Sequence, residues 1–306
     1  MPSTGEISEQ VAKETATRNR LAVPSFAGGF LYLLSAIVIT ETINGAPTVG
    51  LIEGLTPALS GVANPAMSPR TPWMKFVSGR AAELIGGGVL SGISLALLTV
   101  ILLLLVGAVR YRRPQSWRPT RTLVIAGGVG LVLTSIAHEV VTAVEAHNFS
   151  VGHDHSNHAV EQALLTSTAN GIVGYVELVA GLFLVAGMIA TMINSLRVGL
   201  LPRWMCILGI FAALLIFLPD ISAELQVIPA FWMVMMGILL MGRWPQPTGD
   251  PPAWAAGVAV PWPSRGGGRF AGRPAAATAG AGAAPAPVAP VSGGSSRKRR
   301  KRGARG

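Results

Sequence analysis

Six apolar runs, at residues 21–43, 81–109, 122–146, 164–196, 204–218 and 225–242, constrain this chain more than any other feature of its sequence. The hydrocarbon core of a bilayer is about 30 Å thick, and a helix crosses it with about 20 mainly apolar residues. No water is available there for backbone N–H and C=O groups, so runs of Leu, Ile, Val, Ala and Gly this long have to be helical. A strand barrel would need short alternating segments instead. The expected fold is an all-α membrane protein, a bundle of about six transmembrane helices. Half of the residues are apolar, 12% are charged and mean hydropathy is +0.51, a composition far from that of a soluble domain. The fifth run is short for a crossing; the second and fourth are long enough to tilt or protrude.

Basic residues set the expected orientation. Lys13, Arg18 and Arg20 precede the first run, five arginines from Arg110 to Arg121 fill the link between the second and third, Arg197 and Arg203 flank the link after the fourth, and Arg243 ends the sixth. The links after the third and fifth runs hold no Lys or Arg, and the first link holds only Arg70, Lys75 and Arg80. The positive-inside rule then places both termini in the cytoplasm. The first run follows a polar stretch carrying Glu6, Glu9 and Glu14, and reads as a retained anchor rather than a cleaved leader. The expected organisation is a cytoplasmic segment at 1–20, a transmembrane domain at 21–243 and a Pro/Gly/Ala-rich tail at 244–306.

The first outer link carries five prolines and Trp73, and reads as short interfacial helices with Trp73 at headgroup level. Beyond about residue 265 the tail is too poor in large apolar residues to offset its ordering entropy, so disorder is expected. Trp254 and Trp262 are its exception, expected to fold back against headgroups. The basic cluster Arg297, Lys298, Arg299, Arg300, Lys301, Arg302 at its end has the anionic inner leaflet as its natural partner rather than a specific nucleic acid. Small residues, such as Gly86, Gly87, Gly88 and Gly92 on the second run, Gly127, Gly128 and Gly130 on the third and Gly171, Gly174 and Gly181 on the fourth, mark close helix approach within the bundle or, as the alternative, a homo-oligomer contact.

Ionisable side chains within spans are costly and are candidates for function. Counting about 1.5 Å per residue from the nearest inner arginine puts Glu41, His138, Glu177, Asp220 and Glu224 about 25–31 Å away, at one level near the outer boundary. Thr134, His138, Thr142 and Glu145 form a polar stripe at helical spacing on the third run; Thr166, Asn170, Gly174 and Glu177 form one on the fourth. Facing each other, they would make an outward-open acidic vestibule with His138, Glu139, Glu177, Asp220 and Glu224 as its candidate residues, able to bind a cation or relay protons. Acids also gather at an outer interface simply because basic residues are excluded from it, and the sequence leaves both readings open. The link after the third run gathers His153, His155, His158 and Glu161, donors suited to a divalent metal ion such as zinc, nickel or copper if the second half of the link is helical. A solvated, titratable loop is the alternative.

Enzyme signatures do not support a catalyst. The run "HEVVT" at 138–142 has Thr142 where the second histidine of a zinc-protease helix belongs, and no phosphate loop or nucleophile elbow is present. A single cysteine, Cys206, excludes an intramolecular disulfide and a Cys-based structural metal site within one chain. The segments "RVGLLPRWMCILGIFAALLIFLP", "FWMVMMGILLMGRWP", "PPAW" and "PWPS" with the basic end, and more loosely "GRAAELIGGGVLSG", resemble a group of actinobacterial multipass membrane proteins. That resemblance implies a bacterial plasma-membrane location and transfers no active-site residue. The leading expectation is a non-enzymatic polytopic membrane protein. A cation, metal or proton-coupled transporter using the vestibule is the alternative.

Overall fold

The computed structural model describes residues 3–48, 50, 52, 59, 61, 67–218, 223–243 and 251–262. A compact unit ends at Trp262; Asp220, the side chain of Glu224 and the basic cluster at 297–302 lie outside the described residues.

The first helix does not begin at the apolar boundary near residue 21. Ser3 starts it: the Ser3 hydroxyl accepts from the Glu6 backbone N–H, and the Ser3 N–H donates to the Glu6 carboxylate at 2.6 Å. This reciprocal pairing satisfies donors that a helix start leaves open. Helix α1 then runs unbroken through Thr4–Asn44, past Pro24, so the polar stretch and the first apolar run are one rod. The other helices follow the apolar runs more closely: α2 (Thr71–Gly79), α3 (Ala81–Arg112), α4 (Thr120–Val151), α5 (Asn157–Glu161), α6 (Thr168–Val198), α7 (Arg203–Phe217), α8 (Val227–Leu240) and α9 (Pro252–Ala256). A π-helical turn at Gln162–Thr166 joins α5 to α6. Among the described residues the only strand-like feature is an isolated bridge between Met67 and His155.

Four stretches, Thr4–Asn44, Ala81–Arg112, Thr120–Val151 and Asn157–Val198, are long and apolar enough to cross a membrane; α7 and α8 are shorter apolar helices. Neighbours in space form a closed ring, α1–α3–α4–α6–α7–α8 and back to α1, with α3 also touching α6 across it. Inside lie Leu98, Leu102, Leu105, Leu184, Met188, Met192, Met205 and Trp232, all essentially without exposure. Outside, Phe30, Ile37, Leu133, Val144, Leu182 and Phe183 stand open. An apolar belt of this extent is a surface for lipid, not water.

Bare backbone and hydroxyls set the helix spacing. A Cβ on Gly29 would stand 2.6 Å from the Ala230 carbonyl oxygen, and one on Gly237 2.9 Å from the Phe26 nitrogen, so α1 and α8 touch where neither has a side chain. Gly127 lies against the backbone of Leu184, and Gly128 against Thr99. Hydroxyl donors bridge the same interfaces: Ser25 to the Met233 carbonyl (2.9 Å), Ser35 to that of Gly87 (2.8 Å) and Ser94 to that of Gly28 (2.8 Å). Such bonds contribute about 0.6 kcal/mol each in a membrane. Together with close packing they hold helices that no hydrophobic effect pulls together in lipid. A second, smaller core of Met74, Val77, Leu84, Phe149 and Val160 packs α2 and α5 over the far end of α4.

Candidate functional site

The ring has two chemically distinct ends. At the first, called here the acidic end, the two polar stripes do face each other. His138 Nδ1 on α4 lies 3.9 Å from Glu177 Oε2 on α6, and the Ser167 hydroxyl donates to Glu145 Oε1 at 2.6 Å. Glu139 is within electrostatic reach of both His138 and Glu177. A Cβ on Gly88 would lie 2.8 Å from Glu139 Cγ, so the missing side chain on α3 makes the notch in which Glu139 sits.

Two open clefts meet at these residues. One, of about 670 Å³, runs between α2 and α6 along Trp73, Val77, Leu84, Thr142, Asn170 and Tyr175. The other, of about 620 Å³, reaches in toward α1 and α7 along Tyr32, Ser35, Ser91, Ser135, Phe217 and Gln226. His138, Glu139, Gly174 and Glu177 line both. The space exists because Gly171 and Gly174 present no side chain: nothing lies within 4 Å of the Cβ that either would carry. These two glycines of the fourth run therefore do not pack the bundle, unlike Gly127, Gly128, Gly130 and Gly181. Trp73 borders the first cleft. Tyr32, deep in the second cleft, donates its phenol proton to Gln226 Oε1 at 2.5 Å.

The histidine link is ordered by its own capping bonds. Asp154 Oδ1 accepts from the Ser156 N–H at 2.9 Å, and this backbone bond, with help from the Ser156 side chain and the neighbouring His158 and His155, holds the exposed Asp154 carboxyl below its ordinary pKa. The Ser156 hydroxyl in turn accepts from Ala159 N–H and starts α5. His155 turns inward: its ring lies tilted against Phe149 with centroids 5.1 Å apart, its carbonyl accepts from Ser68 N–H at 2.6 Å, and its Nδ1 is buried without a partner. His153, His158 and Glu161 are exposed. Among the described residues no three His, Cys, Asp or Glu side chains are grouped as a metal ion would require.

At the opposite, basic end, the sequence had shown only topogenic charge, and the structure shows a closed arrangement. Arg112 at the end of α3 forks onto Glu14 of α1, with Nη1 donating to Oε1 (2.9 Å) and Nη2 to Oε2 (2.7 Å). The Arg112 side chain is 0% exposed and that of Glu14 6%. Arg112 also donates to the carbonyls of Ala253 and Ala108, so the guanidinium has its hydrogen-bonding needs met inside the protein. Trp254 on α9 is buried, its ring centroid 4.7 Å from the Arg18 guanidinium carbon and 5.4 Å from that of Arg112, and its indole N–H donates to the Leu200 carbonyl at 3.0 Å. Val260 N–H bonds the Val198 carbonyl. Residues 251–262 thus pack on the helix ends rather than on headgroups. Two signals pointed this way. The S-x-x-E box at Ser3 starts the helix, and Glu14 and Arg18, four apart, share the face that Ala22 continues into the core.

No protein-family model matches the chain, and neither a curated protein nor a solved structure does.

Proposed function

We propose that the chain is a polytopic protein of a bacterial plasma membrane, with six crossing helices and both termini in the cytoplasm, and that its acidic end opens outward as a non-enzymatic binding vestibule for a cation. One observation carries the reading: His138, Glu139 and Glu177, from two different helices, converge on the shared wall of two clefts that no Lys or Arg among the described residues lines.

The six-crossing count rests on α7 and α8, 15 and 14 residues long. At about 1.5 Å per residue each spans only about 20–23 Å, so the bilayer thins locally around them, a modest cost per ångström. The orientation rests on the basic residues gathered at the other end. Binding, rather than passage, is the extent of the proposal, because below the vestibule the ring is filled by Leu131, Ala180, Leu184 and Met188. The basic cluster at 297–302 is proposed to engage anionic headgroups of the inner leaflet.

A ligand that binds only the folded state raises the thermal midpoint by mass action. At constant ionic strength, small cations should raise the midpoint of the purified protein saturably, and the Glu139→Gln/Glu177→Gln double variant should lose that response. Equal responses in the two proteins would dismiss the vestibule as a cation site.

A further inference from the structure

The clefts say more about their occupant than its sign of charge. Their walls are mostly hydrocarbon and ring: Leu84 and Trp73 with Tyr175 in one, Ile39 and Phe217 with Tyr32 in the other. Each volume, about 670 and 620 Å³, lies within the range of small-molecule pockets and is far larger than a hydrated metal ion needs. A bare inorganic cation would also want several oxygen ligands at fixed short distances, and the two carboxylates here stand on separate helices, one of them facing His138 at 3.9 Å.

We infer that the vestibule takes a bulky hydrophobic organic cation, a quaternary ammonium or phosphonium type of ion, whose charge sits at the His138–Glu139–Glu177 pole and whose apolar arms lie along the aromatic walls. The inference rests on the cation-binding reading above and deepens it. Charge complementarity selects the class. With both carboxylates ionised, negative charge exceeds positive even when His138 is protonated, and no Lys or Arg among the described residues lines either cleft. Aromatic faces attract such ions through their quadrupoles, most strongly where water is excluded. An ion without N–H or O–H donors needs no directed hydrogen bond, which suits a pole whose acids stand apart. Gly171 and Gly174 keep the mouth open for a body of that size.

The test uses two probes of the same shape and opposite charge. Tetraphenylphosphonium and tetraphenylborate are titrated by equilibrium dialysis against the full-length protein in non-ionic detergent. Tetraphenylphosphonium should bind saturably and tetraphenylborate only as it partitions into empty micelles. Glu139→Gln/Glu177→Gln should weaken phosphonium binding at least 10-fold, and Gly174→Leu, which fills the mouth without touching a charge, should weaken it comparably, covering the case in which the double variant misfolds. Equal saturable binding of both probes, or phosphonium binding that survives both variants, overturns the inference. If phosphonium fails to bind while small cations still raise the thermal midpoint, the organic-ion class is wrong and the cation vestibule stands. If both fail, the vestibule falls with it.

Discussion

At the basic end, Glu14 and Arg112 satisfy each other inside the protein and a tryptophan closes over them. At the acidic end, His138, Glu139 and Glu177 come together from two helices, yet His138 and Glu177 stay open to solvent and no close hydrogen bond joins them. The contrast separates charge that holds a fold from charge left available. Taking an ion out of water costs several kcal/mol, repaid only when geometry is good and remaining donors are bonded. The basic end meets that condition through the fork onto Glu14 and the carbonyls of Ala253 and Ala108. The acidic end avoids the cost by keeping clefts of about 620 and 670 Å³ open to water, and an opening is what a ligand needs.

The largest expected difference between the ends is in stability. Glu14→Ala or Arg112→Ala strands a buried charge and should cost about 3–5 kcal/mol, whereas Glu177→Gln breaks a long, exposed pair and should change stability by less than about 1 kcal/mol. Reversible unfolding in mixed micelles would measure both. Similar losses at the two ends would erase the distinction.

Next in size is a glycine contrast within one bundle. Gly127→Leu puts a side chain into the Leu184 backbone and the Ala180 carbonyl, and should cost about 1–3 kcal/mol by overpacking. Gly174→Leu enters open space and should stay within about 0.5 kcal/mol. A large loss at Gly174 would mean that the clefts are closed by packing in the membrane.

These two contrasts also mark what was legible in the sequence. Apart from the start of α1, the apolar runs match the helix positions to within about five residues, because the bilayer rule depends only on length and hydropathy, and the stripe periodicity paired His138 with Glu177 across α4 and α6. The stripes could not reveal that Gly171 and Gly174 border space while Gly127 and Gly128 are packed, since a glycine's role depends on what lies opposite. Residues 1–20 read as a cytoplasmic segment, and Trp254 with Trp262 as headgroup contacts, so the buried Glu14 and Trp254 were missed. Their burial comes from long-range partners, Glu14 with Arg112 and Trp254 with Leu200, that local composition does not encode. In the histidine link, spacing brings the side chains near one another in sequence, but it does not encode the ring contact with Phe149 or the buried position of His155 Nδ1.

The smallest effect is at the histidine link, and its sign can be worked out. Asp154 has a folded pKa below its unfolded value, so its contribution is present above the ordinary aspartate range, about 3.9, and is lost as pH falls through the lowered folded value. Amide exchange at Ser156 should therefore stay protected from neutral pH down to about 4 and loosen only below it, a dependence that Asp154→Asn abolishes. Protection lost already well above pH 4, or unchanged in Asp154→Asn, would contradict this assignment.

Accessibility from the two sides of the membrane bears most directly on the central claim, that one end is open to the outside and the other sealed toward the cytoplasm. With the buried Cys206 replaced by serine, single cysteines are introduced at Glu177 in the vestibule and at Trp117, exposed in the link between α3 and α4. Intact cells are treated with a membrane-impermeant thiol reagent before and after permeabilisation. The account predicts that Glu177→Cys reacts in intact cells and that Trp117→Cys reacts only after permeabilisation. Labelling of Trp117→Cys from outside, with Glu177→Cys reached only from the cytoplasmic side, would contradict it.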